Sequence, residues 1–251
     1  MKRLELIGID GIGEVRTGDS IGSLICEACS RQSIALADSD VVVVAQKIVS
    51  KAEGCIVCLK DVQASERAIE LAGRLQKEPA LVEVILGESR SIIREGGRAL
   101  IVETHHGFIC ANAGVDQSNV GAKLVALLPR DPDRSARAIR KEIQRRTGNQ
   151  PAVIISDSFG RPWRLGTVDI SVGIAGIKPI KDERGMGDGY GYQLKAAVAA
   201  VADEIAAAGE LVMGKRDRVP VVIVRGYEFE KEEGSVKELL RPEAQDLFRH
   251  F

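Results

Sequence analysis

Apolar runs divide this chain into candidate strands, with amphipathic stretches between them. The most strongly apolar runs are 41–45, 152–155 and 219–224, and runs of this length bounded by polar residues or Pro predict buried strands. Weaker alternation predicts further strands at 3–9, 54–60, 99–103, 107–111 and 167–175. At residue 155 the chain turns abruptly polar, so we expect the strand beginning at 152 to end there.

The helical stretches begin at residues suited to helix N-termini. The predicted helices are 21–32 after Ser20, 66–77 after Ser65, 79–94 from Pro79, 136–146 after Ser135, 193–209, and two short helices at the end of the chain. Strands and helices alternate irregularly. The pattern therefore predicts a mixed α/β (α+β) fold rather than a strictly parallel sheet.

Composition excludes several classes of function. The 251 residues are 45% hydrophobic and 28% charged, with a formal net charge of −1. This balance is typical of a globular protein and argues against nucleic acid as a partner. No secretory leader and no membrane-spanning run is visible, which predicts a cytoplasmic protein without a membrane partner.

Two familiar patterns have weak local support. Gly209 to Lys215 has P-loop spacing, but Arg216 stands where Ser or Thr would hold magnesium, and the segment ends a helix instead of beginning one. The basic helix 136–146 lacks interleaved aromatic residues, so a solvated face is favoured over a nucleic-acid surface. The adjacent His105 and His106 are expected to face opposite ways on a strand.

The cysteines form two C-x-x-C pairs. Cys26 and Cys29 fall on a predicted helix, whereas Cys55 and Cys58 fall on a predicted strand, where positions three apart point to opposite faces. Buried thiols are therefore favoured over a four-thiolate zinc site. A zinc-stabilised binding module remains the alternative from a different functional class.

Polar groups suited to phosphate and metal follow the apolar runs. Asp157 and Ser158 come directly after one predicted strand, with Arg161 and Arg164 close behind. Carboxylates bind hard cations, and the Arg fork matches phosphate oxygens. A surface turn with an Asp–Arg ion pair is the simpler reading of this stretch alone.

Matching groups occur elsewhere in the chain. Lys51 lies just past the strongest strand, and Asp116 and Asn119 lie in a Gly-containing polar loop. Singly, Asp116 is as well explained as a loop-capping residue. Together these residues favour a magnesium or manganese nucleotide site.

Several of these segments resemble motifs of the coenzyme F420-0:L-glutamate ligase family. The matching blocks keep the family's order and span most of the chain: VAQKIVSKAEG at 44–54, CANAGVDQSN at 110–119, SDSFGRPWR at 156–164, VGIAGI at 172–177 and ADEIAAAGELVMGK at 202–215. Some members of the family carry a C-terminal nitroreductase-like domain. This chain resembles the stand-alone form, a single module over 1–251.

The resemblance implies a fold and an activity. The expected fold is neither a P-loop nor a Rossmann fold, with two interwoven subdomains and an intertwined homodimer. The expected reaction is GTP-dependent addition of L-glutamate, including γ-linked addition, to the tail of coenzyme F420-0 through an acyl phosphate, with release of GDP and phosphate. A GTP-dependent carboxylate–amine ligase acting on another acid is the alternative.

The resemblance also implies site residues. Those matched to nucleotide-binding blocks are Ile12, Gly13, Glu14, Val15, Gln46, Lys47, Lys51, Asn119, Met213, Gly214, Lys215 and Arg216. Asp116, Asp157 and Ser158 match ligands of one or two Mg²⁺ or Mn²⁺ ions, with K⁺ as a further candidate ion. From their chemistry, Lys51, Arg161 and Arg164 are assigned catalytic roles on phosphate or carboxylate groups.

Two departures from the family pattern concern this site. Lys215 stands where some members carry an acidic metal ligand. Gln46 and Lys47 replace small hydroxyl residues that some members have.

Overall fold

The computed structural model of the protein describes residues 2–248 and has a mixed α/β fold. Its strands are β1 (Glu5–Gly8), β2 (Val41–Ala45), β3 (Ile56–Cys58), β4 (Ser89–Gly96), β5 (Ala99–Thr104), β6 (Ile109–Ala111), β7 (Leu124–Ala126), β8 (Ala152–Arg161), β9 (Arg164–Ala175), β10 (Lys181–Asp182), β11 (Val198–Ala199) and β12 (Val221–Arg225). Its helices are α1 (Ile21–Arg31), α2 (Gln46–Ala52), α3 (Glu66–Leu75), α4 (Pro79–Gly87), α5 (Pro132–Thr147) and α6 (Val201–Met213).

A five-stranded sheet with the order β1-β12-β2-β8-β9 lies at the centre. β2 and β8 are parallel, whereas the other neighbouring strands are antiparallel. Val41 to Val44 of β2 are fully buried, because both faces of the sheet are covered. This is why the strand reads as an uninterrupted apolar run.

Helices cover the two faces of this sheet. α6 packs on one face, where Gly209 lies against the side chain of Val43. α5 packs on the other, where Gly173 of β9 lies against the backbone of Pro132. Asp133, also in α5, is buried and accepts a hydrogen bond from the backbone N–H of Ile174 at 2.8 Å. The two helices therefore hold the β8–β9 hairpin between them.

A second hydrophobic cluster is formed by residues between Leu59 and Val125, chiefly from α3, α4 and β5. It is separate from the cluster around the central sheet. Smaller sheets with the orders β4-β5-β6 and β3-β7 accompany it. The division of the chain into two interwoven subdomains stays a prediction.

Several sequence predictions are confirmed. β2 spans the predicted residues, α1 is capped by Ser20 through the N–H of Ser23, and α3 is capped by Ser65. Each cap is a hydroxyl accepting a backbone N–H that has no partner within the helix.

Other predicted boundaries are wrong. The helix from Pro79 ends at Gly87, and residues 89–96 form β4 because they pair with β5. Gly97 with φ +57° allows the tight turn between these two strands. Asp131, not Ser135, caps α5, since Pro132 fits only the first turn. The Ala-rich helix begins at Val201 instead of 193, after β11 has paired with β10.

The ends of two further strands also differ from prediction. β3 stops at Cys58, just before a 3-10 turn. The two short helices predicted at the end of the chain are 3-10 turns at Val236–Leu239 and Glu243–Gln245. β8 does not end at Ile155. It continues to Arg161, because antiparallel pairing with β9 satisfies the backbone of its polar half.

Within residues 2–248, no helix is both long and apolar enough to cross a bilayer.

Candidate functional site

The polar segments flanking four strands meet at one edge of the central sheet. β2 and β8 run in parallel, with Ala45 opposite Ser156, so the residues that follow them in the chain lie together. The backbone N–H of Ala45 donates to the carbonyl of Pro220 at 2.9 Å, which brings the segment before β12 to this edge. The N–H of Ile9 donates to the carbonyl of Val221 at 2.9 Å, which brings the residues after β1 to the same place.

Lys47 joins this edge to the Asp116 loop. Its Nζ lies 2.7 Å from Asp116 Oδ2 and 2.6 Å from Ser118 Oγ. Ser118 also donates its backbone N–H to Asp116 Oδ1 at 2.7 Å. Burial acts to raise the pKa of Asp116, but the hydrogen bonds and charge of Lys47 and the hydrogen bonds from Ser118 outweigh it and lower that pKa below its ordinary value. Asp116 is therefore an ionised carboxylate carrying an ammonium partner.

Asp157 is half-buried and near enough to this pair for the charges of Lys47 and Asp116 to act on it. Burial raises the pKa of its carboxyl to about 7, and the charges of Asp169 and Asp116 act in the same direction. A backbone hydrogen bond from Ser158 and the charge of Lys47 partly oppose this rise in pKa. Near neutral pH, Asp157 is therefore poised between its neutral and ionised forms.

Lys51 connects two of the predicted nucleotide-binding segments. Its Nζ forms an ion pair with a carboxylate oxygen of Glu14. The Lys51 side chain is only 15% exposed, whereas that of Glu14 is 75% exposed. The backbone carbonyl of Lys51 also accepts a hydrogen bond from Thr17 Oγ1 at 3.3 Å. The Ile12–Val15 loop is thus fixed against α2, with Ile12 and Val15 buried and Gly13 and Glu14 exposed.

Gln46 is the first residue of the same helix and is buried, with 2% of its surface exposed. Its Oε1 lies 2.7 Å from Ser50 Oγ, while Nε2 has no hydrogen-bond partner. Ser50 Oγ also lies 2.6 Å from the carbonyl of Leu127, and one hydroxyl has only one proton to donate. Whichever way the amide is oriented, one of its polar atoms lacks a protein partner.

The segment 213–216 approaches the loop that carries Asp116. Asn119 Nδ2 donates to the backbone carbonyl of Lys215 at 3.4 Å. Met213 ends α6 and is buried, whereas Gly214, Lys215 and Arg216 are exposed. The structure thus brings together five segments that are far apart in the chain: 12–15, 46–51, 116–119, 157 and 213–216.

Ser158 faces away from Asp157. Adjacent residues of a strand point to opposite faces, and Ser158 donates to Asp169 Oδ1 on β9 at 2.6 Å. Ser156 donates to the other oxygen of Asp169 at 2.9 Å, and Asp169 is 6% exposed. Next to them, Ser171 donates to Asp203 of α6 at 2.5 Å. These groups form a polar layer between the hairpin and α6.

The sequence prediction did not include Ser118 or Asp169. Ser118 follows Asp116 by two residues, a spacing at which a side chain can accept a backbone N–H in a turn, so a local signal for it existed. Asp169 offered no such signal, because its partnership with Ser158 depends on the register of β8 against β9.

The predicted metal ligands do not form one coordination shell. Asp116 is engaged by Lys47, and the Ser158 hydroxyl is engaged by Asp169 on the other side of the hairpin. Within residues 2–248, no group of three or more His, Cys, Asp or Glu side chains is arranged to hold a metal ion. Of the three predicted ligands, Asp157 is the one whose carboxyl has no ion pair or side-chain hydrogen bond within residues 2–248, and the charges of Asp116 and Lys47 act on it.

Arg161 and Arg164 lie away from this edge. They pair with each other across the tip of the β8–β9 hairpin, and both are exposed. Arg161 is four positions beyond Asp157 along β8, about 13 Å at the usual rise per residue. Arg161 donates to the carbonyl of Leu165 at 2.6 Å. The structure therefore does not bring these two arginines to the other predicted site residues.

The two C-x-x-C pairs and the adjacent histidines have no hydrogen bond or ion pair with Lys47, Asp116 or Asp157 within residues 2–248. Cys110, whose pKa is raised by burial, is close enough to Asp157 for the charge of that carboxyl to raise the Cys110 pKa further. Burial, aided by the charges of Cys26 and Asp40, raises the pKa of Cys29 to about 11, and burial also raises the pKa of Cys55. Because zinc binds the thiolate form, thiols held protonated in this way favour buried structural cysteines over a zinc site. His105 and His106 bind the backbone carbonyls of Gly87 and Pro129, each at 2.9 Å.

The fold and the site define a mixed α/β protein with lysines and carboxylates gathered at one edge of its sheet. Residues 11–226 match the family model described as F420-0:Gamma-glutamyl ligase. The chain belongs to this family.

Similar proteins cover almost the whole chain. The "Coenzyme F420:L-glutamate ligase" of Methanothermobacter thermautotrophicus is 50% identical over 249 residues, which cover 98% of this chain and 99% of the relative. The protein of the same name from Methanocaldococcus jannaschii is 41% identical over 99% of this chain and 98% of the relative. The protein of the same name from Archaeoglobus fulgidus is 40% identical over 98% of this chain and 97% of the relative.

Proposed function

We propose that this protein ligates L-glutamate to the tail of coenzyme F420-0 at the expense of GTP. Family membership and relatives named coenzyme F420:L-glutamate ligase over the full length support the acceptor and the amino acid. The observation that carries the proposal is the convergence of Lys47, Lys51, Asp116 and Asp157 at one edge. Lysines at such an edge suit the phosphates of a nucleotide.

The reaction we propose has two steps. A carboxylate oxygen of the coenzyme tail attacks the γ-phosphorus of GTP, the bond to the β-phosphate oxygen breaks, and GDP leaves. The uncharged amine of glutamate then attacks the carbonyl carbon of the acyl phosphate. The carbon–oxygen bond to phosphate breaks, phosphate leaves, and the amine nitrogen loses a proton as the amide forms.

The protein's part in these steps is to hold charges in place. Lys51, fixed by Glu14, neutralises the phosphate that is transferred. Lys215, whose backbone carbonyl accepts from Asn119, and its neighbour Arg216 are both exposed, and we assign them to contact with the nucleotide. GTP would bind as its complex with Mg²⁺ or Mn²⁺. K⁺ is a further candidate ion, and its effect on the reaction rate should be measured.

The state of assembly and the location of the protein also belong to this proposal. We expect a cytoplasmic homodimer. Trp163 is 79% exposed and Leu165 is 97% exposed at the tip of the β8–β9 hairpin, which is consistent with burial against a second copy. Light scattering of the purified protein will give its mass in solution.

A mass measurement tests the proposed reaction. The protein is incubated with GTP, Mn²⁺, L-glutamate and F420-0, and we expect products heavier by one or more glutamyl units together with an equal amount of GDP. Omitting glutamate should stop formation of the amide product. If no mass is gained while another carboxylic acid is converted, the acceptor is wrong and the alternative carboxylate–amine ligase is supported.

A further inference from the structure

The ammonium of Lys47 lies inside the group of carboxyls predicted to bind metal ions. Its Nζ is 2.7 Å from Asp116 Oδ2 and 2.6 Å from Ser118 Oγ, and its side chain is only 19% exposed. An ammonium has three N–H donors and no acceptor, so two donors are used here and one stays available. Asp157 lies near enough for the charges of Lys47 and Asp116 to act on it.

This arrangement competes with a metal ion at Asp116. A divalent ion bound to Asp116 Oδ2 would lie within a few ångströms of Nζ, where like charges repel strongly in a partly buried site. Lys47 is also held by Ser118, which in turn donates its hydroxyl to Asp116 at 2.9 Å. The three side chains form a closed set of hydrogen bonds that an entering ion would have to break.

The backbone of a second lysine, Lys215, borders the Asp116 loop. The backbone carbonyl of Lys215 accepts a hydrogen bond from Asn119, three residues after Asp116. A protonated lysine has no lone pair with which to ligate a cation. The segment that carries Lys215 therefore supplies no anionic ligand beside the Asp116 loop, where a second metal ion would need negative charge.

We infer that Lys47 takes the place that a second divalent ion would occupy, so that the site accepts a single ion, which enters with the nucleotide. Asp116 then serves to anchor Lys47, and the free third donor of Lys47 faces the incoming phosphates. The inference deepens the proposed function, on which its account of the nucleotide rests. The Lys47–Asp116 contact can be tested without any ligation.

A gain of metal binding tests this inference directly. Nucleotide-free protein is titrated with Mn²⁺, and free Mn²⁺ is followed by electron paramagnetic resonance. Lys47→Met should bind Mn²⁺ at least about tenfold more tightly than the unmodified protein, a change of about 1.4 kcal/mol. Removing the ammonium leaves Asp116 and Asp157 as two uncompensated oxygen ligands for a hard cation.

Two matched variants separate charge from shape. Lys47→Arg keeps the positive charge and should show no gain. Lys47→Met combined with Asp116→Asn removes the freed carboxylate and should lose the gain seen in Lys47→Met. Equal Mn²⁺ affinity in the unmodified protein and a folded Lys47→Met variant would overturn the inference.

A count of ions in the unmodified protein gives a second measurement, which does not depend on any variant folding. With saturating GDP we expect one Mn²⁺ per chain, and two per chain would contradict the inference. The ligation assay is separate. Failure to form the glutamyl product, together with tighter Mn²⁺ binding by Lys47→Met, would refute the proposed function and leave the role of Lys47 standing.

Discussion

Replacing Asp157 by Asn should stabilise the protein at neutral and alkaline pH. The pKa of Asp157 is raised to about 7 from an ordinary value of 3.8, because burial disfavours its charged form. The folded chain therefore keeps a proton that the unfolded chain has already released between about pH 4 and pH 7. Between about pH 4 and pH 7 the free energy of unfolding falls as the pH rises. Above pH 7 the whole of this decrease in stability remains.

The shift in pKa sets the size of this effect. A shift of about three units at 1.36 kcal/mol per unit gives a ceiling of about 4 kcal/mol. Asp157 is half-buried, and water screens part of its charge, so we expect about 2 kcal/mol. Asn has nearly the same shape and carries no charge, so Asp157→Asn should avoid this loss.

Urea unfolding at several values of pH between 4 and 8 measures the difference. The experiment uses protein in EDTA without nucleotide, and the exposed Asp61→Asn variant controls for the removal of one carboxylate. The stability of Asp157→Asn relative to the unmodified protein should grow by about 2 kcal/mol from pH 4 to pH 8. A difference that stays constant across this range would show that Asp157 does not titrate there, and the reasoning would be wrong.

Two other substitutions test the site and the fold. Lys51→Met should lower the rate of GDP formation by at least about a hundredfold, because the transferred phosphate loses its counter-charge. Lys60→Met on the exposed surface is the matched control. An unchanged rate in Lys51→Met would show that Lys51 has no part in the mechanism. Gly173→Ala should destabilise the fold by about 3 kcal/mol or more in thermal unfolding, since its Cβ would lie 2.5 Å from the backbone carbonyl that begins α5. Gly96→Ala has open space and should be well tolerated, so equal effects of the two changes would contradict the packing argument.

Local chemistry in the sequence predicted part of the fold accurately. Ser20 and Ser65 cap their helices as expected, because the capping interaction involves only residues three positions away. The predicted helix from Pro79 extended too far, since apolar residues in β4 are held as a strand by β5. The polarity of residues after Ile155 gave no indication that β9 would continue the pairing to Arg161. Boundaries that depend on a distant partner are not recorded in local sequence.

The candidate site shows the same limit. Lys47, Lys51 and Asp116 were chosen from their chemistry and their family pattern, and the structure brings them to one edge. The partners of these residues were not predicted: the Lys47–Asp116 pair joins residues 69 positions apart in the chain. Arg161 and Arg164 are close to Asp157 in sequence but distant along an extended strand. Closeness in sequence was therefore a poor guide to closeness in the site.

The β8–β9 hairpin gives Asp157 and Ser158 different roles despite their adjacency. Strand alternation sends the Asp157 carboxyl to the edge that holds Lys47, and the Ser158 hydroxyl to Asp169 on the opposite face. Ser156 and Ser158 together satisfy both oxygens of buried Asp169, which ties β8 to β9 at this level. Any tilt of β8 that moved Asp157 would have to break these two hydrogen bonds. The hydrogen bonds of Ser158 and Asp169 on the α6 side thus fix the position of the Asp157 carboxyl on the other side. Two adjacent residues that the sequence predicts to be ligands therefore differ in role: Asp157 belongs to the site, and Ser158 holds the strand in place.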